Sequence, residues 1–123
     1  MNQETSAAAA KWWADKLRGP VIHDNGERMQ SAMMTALQPD VPVPDEKIDE
    51  FDYFLGTALS ETDYNHITVG VDYGPDRILS EAAEKAGINL EFRLPIKTMM
   101  WITPEKVSVS EGYRAPEVQI YPT

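Results

Sequence analysis

Carboxylates are the largest group of side chains in this sequence that could do chemistry. Between residues 40 and 63 eight acids stand against one base, Lys47. The acids are Asp40, Asp45, Glu46, Asp49, Glu50, Asp52, Glu61 and Asp63. Carboxylates at this density can bind a cation, imitate phosphates or keep a surface in solvent. A calcium site is the lesser option, because the D-x-D-x-D-G loop pattern is missing and helical carboxylates cannot wrap an ion.

Five of these acids share one predicted helix and are the candidate partner-binding residues. They are Asp45, Glu46, Asp49, Glu50 and Asp52. Asp45, Asp49 and Asp52 fall at i, i+4 and i+7, which predicts a carboxylate stripe on the face turned away from Ile48 and Phe51. Two functions fit this pattern: a surface that imitates phosphates for a basic partner, or a solvated helix face.

A tryptophan pair adds a second candidate contact. Trp12 and Trp13 are adjacent on a predicted helix, so their side chains point about 100° apart and cannot enter one pocket. Tryptophan is enriched at binding hot spots, and an exposed Trp12 beside Lys11 and Lys16 would anchor a partner. Packing at the edge of the domain is the alternative.

Other catalytic chemistry finds no support in the sequence. His23 and His66 are the only histidines, and neither has a partner at helical ligand spacing. There is no cysteine, and the G-x-S-x-G, P-loop and G-x-G-x-x-G patterns are absent. We therefore predict no catalytic residue, no metal site and no cofactor.

The composition describes a single folded domain over residues 1–123. Hydrophobic residues make up 42% and charged residues 25%, as in average globular proteins. The net charge of −9 disfavours direct contact with nucleic acid or anionic lipid and favours basic protein surfaces, although acidity also serves solubility. No apolar stretch is long enough for a membrane helix, and we expect a cytoplasmic protein.

The elements that must position these residues change in character near Asp63. Apolar residues repeat at helical spacing before it and alternate at strand spacing after it. Three helices are predicted in the first half, at 5–18, 24–37 and 45–60. The second half is predicted to hold a strand at 66–73, a helix at 76–86, a short strand at 90–94, a hairpin of 96–102 with 107–112, and an edge strand near 118–121. The prediction is an α+β fold with a helical half (1–63) and a mostly antiparallel sheet half (64–123).

Three runs carry a resemblance: KWWADKLR at 11–18, VDYGPDRIL at 71–79 and KTMMWI at 97–102. They resemble small, uncharacterised accessory proteins carried by prophages and mobile elements of Gram-positive bacteria. The resemblance implies a setting, since acidic proteins of such elements include anti-CRISPR and other counter-defence inhibitors, some of which imitate nucleic acid. It implies no catalytic residue and no fold.

The hypothesis that follows is a non-enzymatic inhibitor that places its acidic helix in a basic, nucleic-acid-binding groove of a host protein. Two alternatives stay open. One is a homo-oligomeric accessory protein that associates through Trp12 and a sheet edge. The other is an enzyme, or a small-ligand or nucleotide binder, without a recognisable motif.

Overall fold

The computed structural model describes residues 1–19, 33, 36, 37, 39 and 41–122. Its helices are α1 (Gln3–Asp15, continued by a 3₁₀ turn at Lys16–Arg18), α2 (Asp45–Ser60) and α3 (Arg77–Ala86), and its strands are β1 (Ile67–Val71), β2 (Thr98–Ile102), β3 (Val107–Glu111) and β4 (Val118–Tyr121). The α+β class and the antiparallel sheet are confirmed. The predicted helix at 24–37 lies almost wholly outside the described residues.

Helix α2 forms because its apolar residues repeat at helical spacing and its acids favour its start. Ile48, Phe51, Leu55 and Leu59 are fully buried, so one side of the helix faces the core. Asp45 and Glu46 lie in the first turn, where negative charge interacts favourably with the helix dipole. Packing and local electrostatics therefore both favour this helix.

Helix α1 is the element that connects the helices to the sheet. It packs against α2 on one side and against β2, β3 and β4 on the other. Its contact with α2 is close, because a Cβ built on Gly56 would lie only 3.6 Å from the Cβ of Ala10. Trp13, fully buried, fills the larger gap towards the core.

The four strands follow one another across the sheet in the order β1-β2-β3-β4, each antiparallel to its neighbour. Val69 pairs with Met100, and Met100 with Val109. All three are buried, as expected for the side of the sheet that packs on the core. The hairpin predicted from 96–102 and 107–112 is confirmed as β2 and β3.

The strand predicted at 90–94 is wrong, because this segment is a series of turns. The side chain of Asn89 accepts a hydrogen bond from the Glu91 N–H at 3.0 Å, which starts a turn. Phe92 has a left-handed φ of 61°, which a strand does not permit. Leu90 and Leu94 are nevertheless buried, so their apolar spacing reflects a loop packed on the core.

Candidate protein-binding surface

The five predicted contact acids lie on α2, but they divide between two sides of the helix. We call this group the α2 acidic surface: Asp45, Glu46, Asp49, Glu50 and Asp52. At 100° per residue, Glu46 and Glu50 point about 160° and 200° away from Ile48, directly away from the core. Asp45, Asp49 and Asp52 lie on the flank beside α1, on the side where Gly56 approaches Ala10. The stripe expected to face away from the core is therefore a flank.

One arginine lies across that flank. Nη1 of Arg18 donates to Oδ1 of Asp45 at 3.3 Å, and Nη2 donates to Oδ1 of Asp49 at 3.2 Å. Its Nε also donates to Oδ1 of Asp15 at 3.2 Å. Hydrogen bonds to Asp15 and Asp49 raise the pKa of Arg18 above its ordinary value, so it stays charged. Arg18 thus partly neutralises three carboxylates and connects α2 to the end of α1.

Both aspartates that Arg18 contacts on α2 remain largely open to solvent. The side chains of Asp45 and Asp49 are 85% and 73% exposed. Ion pairs this exposed are weak, since water and salt screen them and two side chains lose freedom. A partner's basic side chain can therefore compete with Arg18 for these carboxylates at little cost.

Asp52 differs from the other four acids because it is half-buried. Desolvation by the surrounding protein raises its pKa above the ordinary value, opposed by attraction to Lys11. Repulsion from Asp15 and Asp49 raises it further, while Arg18 lowers it. Asp52 is thus the acid of this surface least favoured in its charged form, and the one least available to a partner.

Glu46 and Glu50 form the outward side of the surface. Both are exposed, and neither forms an ion pair with any described residue. Tyr53, 68% exposed, lies one turn further along the helix. Lys47 lies towards α3, where its Nζ donates to the carbonyl of Gly87 at 3.1 Å. The two glutamates are therefore the acids most open to a partner.

Trp12 is not part of this surface. It is half-buried, packs against the core and meets the ring of Trp13 edge-on with centroids 4.9 Å apart. Lys16 lies over the Trp12 ring at 4.7 Å and pairs with Glu111 of β3 at 2.7 Å. Trp12 therefore lies on the side of α1 that faces the sheet, and a lysine covers part of its ring.

The remaining candidate residues that the structure describes form no catalytic or metal site. His66 is exposed, next to the start of β1, whereas His23 and Asp40 lie outside the described residues. In the part of the chain that the structure describes, no cluster of three or more potential ligands could hold a metal ion. In that same part, every helix is too short or too polar to cross a membrane.

No family model matches this chain, and no curated protein matches it in sequence.

Sequence reasoning missed Arg18 as a member of this surface. Its ion-pair partners Asp45 and Asp49 lie 27 and 31 residues further along the chain. The only signal was that the 3₁₀ turn after α1 carries Lys16 and Arg18, whereas α2 starts with Asp45 and Glu46. Such a pairing can be proposed only once the two helices are known to be neighbours.

Proposed function

We propose that this protein is a non-enzymatic acidic binding protein that presents the α2 acidic surface to a basic, nucleic-acid-binding groove of a host protein. The observation that supports it is the exposure of Asp45, Glu46, Asp49 and Glu50 within two turns of one helix. In this proposal it acts in the cytoplasm as an inhibitor carried by a phage or another mobile element, the setting that the three resembling runs imply.

The attraction between the α2 acidic surface and such a groove is electrostatic. Carboxylates one helical turn apart repeat at about 5 to 6 Å along the axis, and they present negative charge on a rigid support. A groove that binds phosphates through lysine and arginine offers the complementary array. The net charge of −9 adds long-range attraction, which speeds association with such a groove.

Within the surface the residues have unequal roles. Glu46 and Glu50 meet the partner directly, because no described residue pairs with them. Asp45 and Asp49 contribute after their contacts with Arg18 are exchanged for contacts with the partner. Asp52 contributes least, because it is half-buried.

The test is charge reversal at the outward pair. Glu46→Lys with Glu50→Lys should weaken binding to a captured basic partner by at least about a hundredfold, since both attractions become repulsions. Folding should survive, because both sites are exposed and lysine is a good helix former. The matched control is Glu105→Lys with Glu117→Lys, which makes the same change in net charge at exposed positions near β3 and β4.

The measurement is titration calorimetry of each variant with a protein captured from a Gram-positive lysate, with duplex DNA as competitor. We expect DNA and this protein to exclude each other, and we expect the Kd to rise between about 50 and 200 mM salt, because salt screens the charges. Equal loss in both double variants would mean non-specific attraction, and no loss in either would remove the α2 acidic surface from the contact.

A second candidate, self-association, has one observation in its favour. Among the described strands β4 pairs only with β3, and its Val118 is 54% exposed. An open strand edge of this kind can pair with a second copy. Concentration-dependent sedimentation without any basic partner would favour this candidate over the first.

A further inference from the structure

A cleft of about 570 Å³ lies between β1, α3 and the turns that follow α3. We call it the β1–α3 cleft. Its floor is apolar and includes Val71, Ile88, Leu90 and Ile96, all of which are at least nine-tenths buried. This volume lies within the roughly 300 to 1,000 Å³ of small-molecule sites, which are likewise mostly apolar.

The walls of the cleft are held by hydrogen bonds of the backbone to side-chain and backbone oxygens. On one side Oδ2 of Asp76 accepts from the Gly70 N–H at 2.7 Å, while the Asp76 N–H donates to the Gly70 carbonyl at 2.9 Å. These two bonds hold the loop that contains Tyr73. A further bond, from the Lys97 N–H to the Asp72 carbonyl at 2.9 Å, ties this loop to the segment that follows Ile96 of the floor. A ligand would therefore meet a preformed site and lose little free energy in ordering it.

The opposite wall is held in the same way. Gly87 ends α3 with a left-handed φ of 73°, and the Ile88 N–H donates to the Ala83 carbonyl at 2.8 Å. The Asn89 side chain then fixes the following turn through Glu91. Phe92 also lines this wall and has a left-handed φ, which is unusual for a residue other than glycine. This conformation brings the Phe92 backbone to the edge of the cleft.

The charged side chains that line the cleft are all negative among the described residues. Glu84 and Glu91 line the cleft, and both are exposed. No lysine, arginine or histidine is among its described lining residues. Lys97, which follows the lining residue Ile96, lies 4.3 Å from the centroid of the Tyr73 ring, and its charge is paired with Asp72 at 2.5 Å.

These observations together select one chemistry. An apolar floor favours an aromatic or branched body, and two carboxylates with no base among the described lining residues favour a positive group. We propose that the β1–α3 cleft binds a small organic cation, with its apolar body on Val71, Leu90 and Ile96 and its ammonium group between Glu84 and Glu91. This site is separate from the α2 acidic surface, so neither proposal depends on the other.

The test compares three indoles that differ mainly in charge: tryptamine (cationic), 3-methylindole (neutral) and indole-3-propionate (anionic). Amide shifts in ¹H–¹⁵N NMR report where each molecule binds and how tightly. Tryptamine should shift the amides of Val71, Ala83, Ile88 and Leu90. We expect it to bind at least about tenfold more tightly than 3-methylindole, and indole-3-propionate to bind most weakly.

Two pairs of variants make the test specific. Glu84→Gln with Glu91→Gln should weaken tryptamine about tenfold or more and leave 3-methylindole unchanged. Glu105→Gln with Glu117→Gln, the same change in net charge at exposed positions near β3 and β4, should alter neither. Ser80→Trp, at an exposed position that lines the cleft, should block all three indoles. Glu81→Trp, an exposed position outside the lining, is its control.

Three results would overturn the proposal. The first is the absence of shifts at the lining amides with tryptamine at millimolar concentration. The second is equal affinity for the three indoles, which would leave an apolar cleft without charge selection. The third is equal loss of tryptamine binding in the two glutamine double variants, which would mean attraction to the whole acidic protein.

Discussion

Phe51→Ala is the most direct test of the core that supports the α2 acidic surface. Phe51 is fully buried near the middle of the apolar side of α2. Burying a phenylalanine contributes about 1.5 to 3 kcal/mol from the loss of water contact alone. The cavity left by truncation adds to this, and such substitutions lower the free energy of unfolding by roughly 3 to 5 kcal/mol.

That loss would be large for a domain of this size, because total stabilities are about 5 to 15 kcal/mol. One kcal/mol corresponds to about 4 °C in a domain of this length, so the melting temperature should fall by about 12 to 20 °C. Urea unfolding followed by circular dichroism measures the change, and an unaltered slope would show that the unfolded state is the same.

The matched control is Tyr53→Ala, two residues away on the same helix. Tyr53 is 68% exposed, so its truncation should change stability by no more than about 0.5 kcal/mol. Both variants place alanine in a helix, which equalises helix propensity. A loss below about 1 kcal/mol for Phe51→Ala, or equal losses for the two variants, would refute the assignment of this side of α2 to the core.

Two further predictions concern close packing and pH. Gly70→Ala should lower the free energy of unfolding by about 1 to 3 kcal/mol, because the new Cβ would lie 2.9 Å from the Thr98 carbonyl oxygen. Gly74→Ala is the control and should be nearly neutral, since a Cβ there meets nothing within 4 Å. Equal shifts in melting temperature for the two variants would contradict this prediction. Asp52→Asn should stabilise at pH 7, because desolvation raises the folded-state pKa of Asp52 above 3.8. A raised carboxyl pKa means that wild-type stability falls as pH rises from the unfolded-state value through the folded-state one. The advantage of Asp52→Asn should therefore shrink as the pH is lowered through that window, and an advantage that grows would reverse the sign.

The sequence predicted the elements in which burial and local signals agree. Ile48, Phe51, Leu55 and Leu59 repeat at helical spacing and Asp45 precedes them, so α2 was predicted at its observed bounds. The hairpin of β2 and β3 followed from alternating apolar residues around a turn at Pro104. In both cases the local preference and the packed structure favour the same conformation.

Prediction failed where a loop is buried. Leu90 and Leu94 have strand-like spacing, but Asn89 forms a turn and Phe92 adopts a left-handed φ. Periodicity reports which residues are buried, and it cannot distinguish a strand from a well-packed loop over five residues.

The two sites differ in how much of each could be predicted from the sequence. The α2 acidic surface lies within one helix, so its acids were predicted, although the division into flank and outward side required the position of α1. The β1–α3 cleft collects residues from β1, α3 and two loops. Its lining is brought together only by tertiary packing, and no local pattern indicates it.

The contacts of helix α1 also determine how cooperatively this protein should unfold. It packs on α2 and on β2, β3 and β4 at once, and Oη of Tyr121 donates to Oε2 of Glu4 at 2.9 Å across 117 residues of sequence. We therefore expect the helical half and the sheet half to melt together. Separating the two halves would expose Trp13 and the sides of α2 and of the sheet that pack on α1. Loss of the α1 contacts and loss of the sheet should therefore occur in a single cooperative transition.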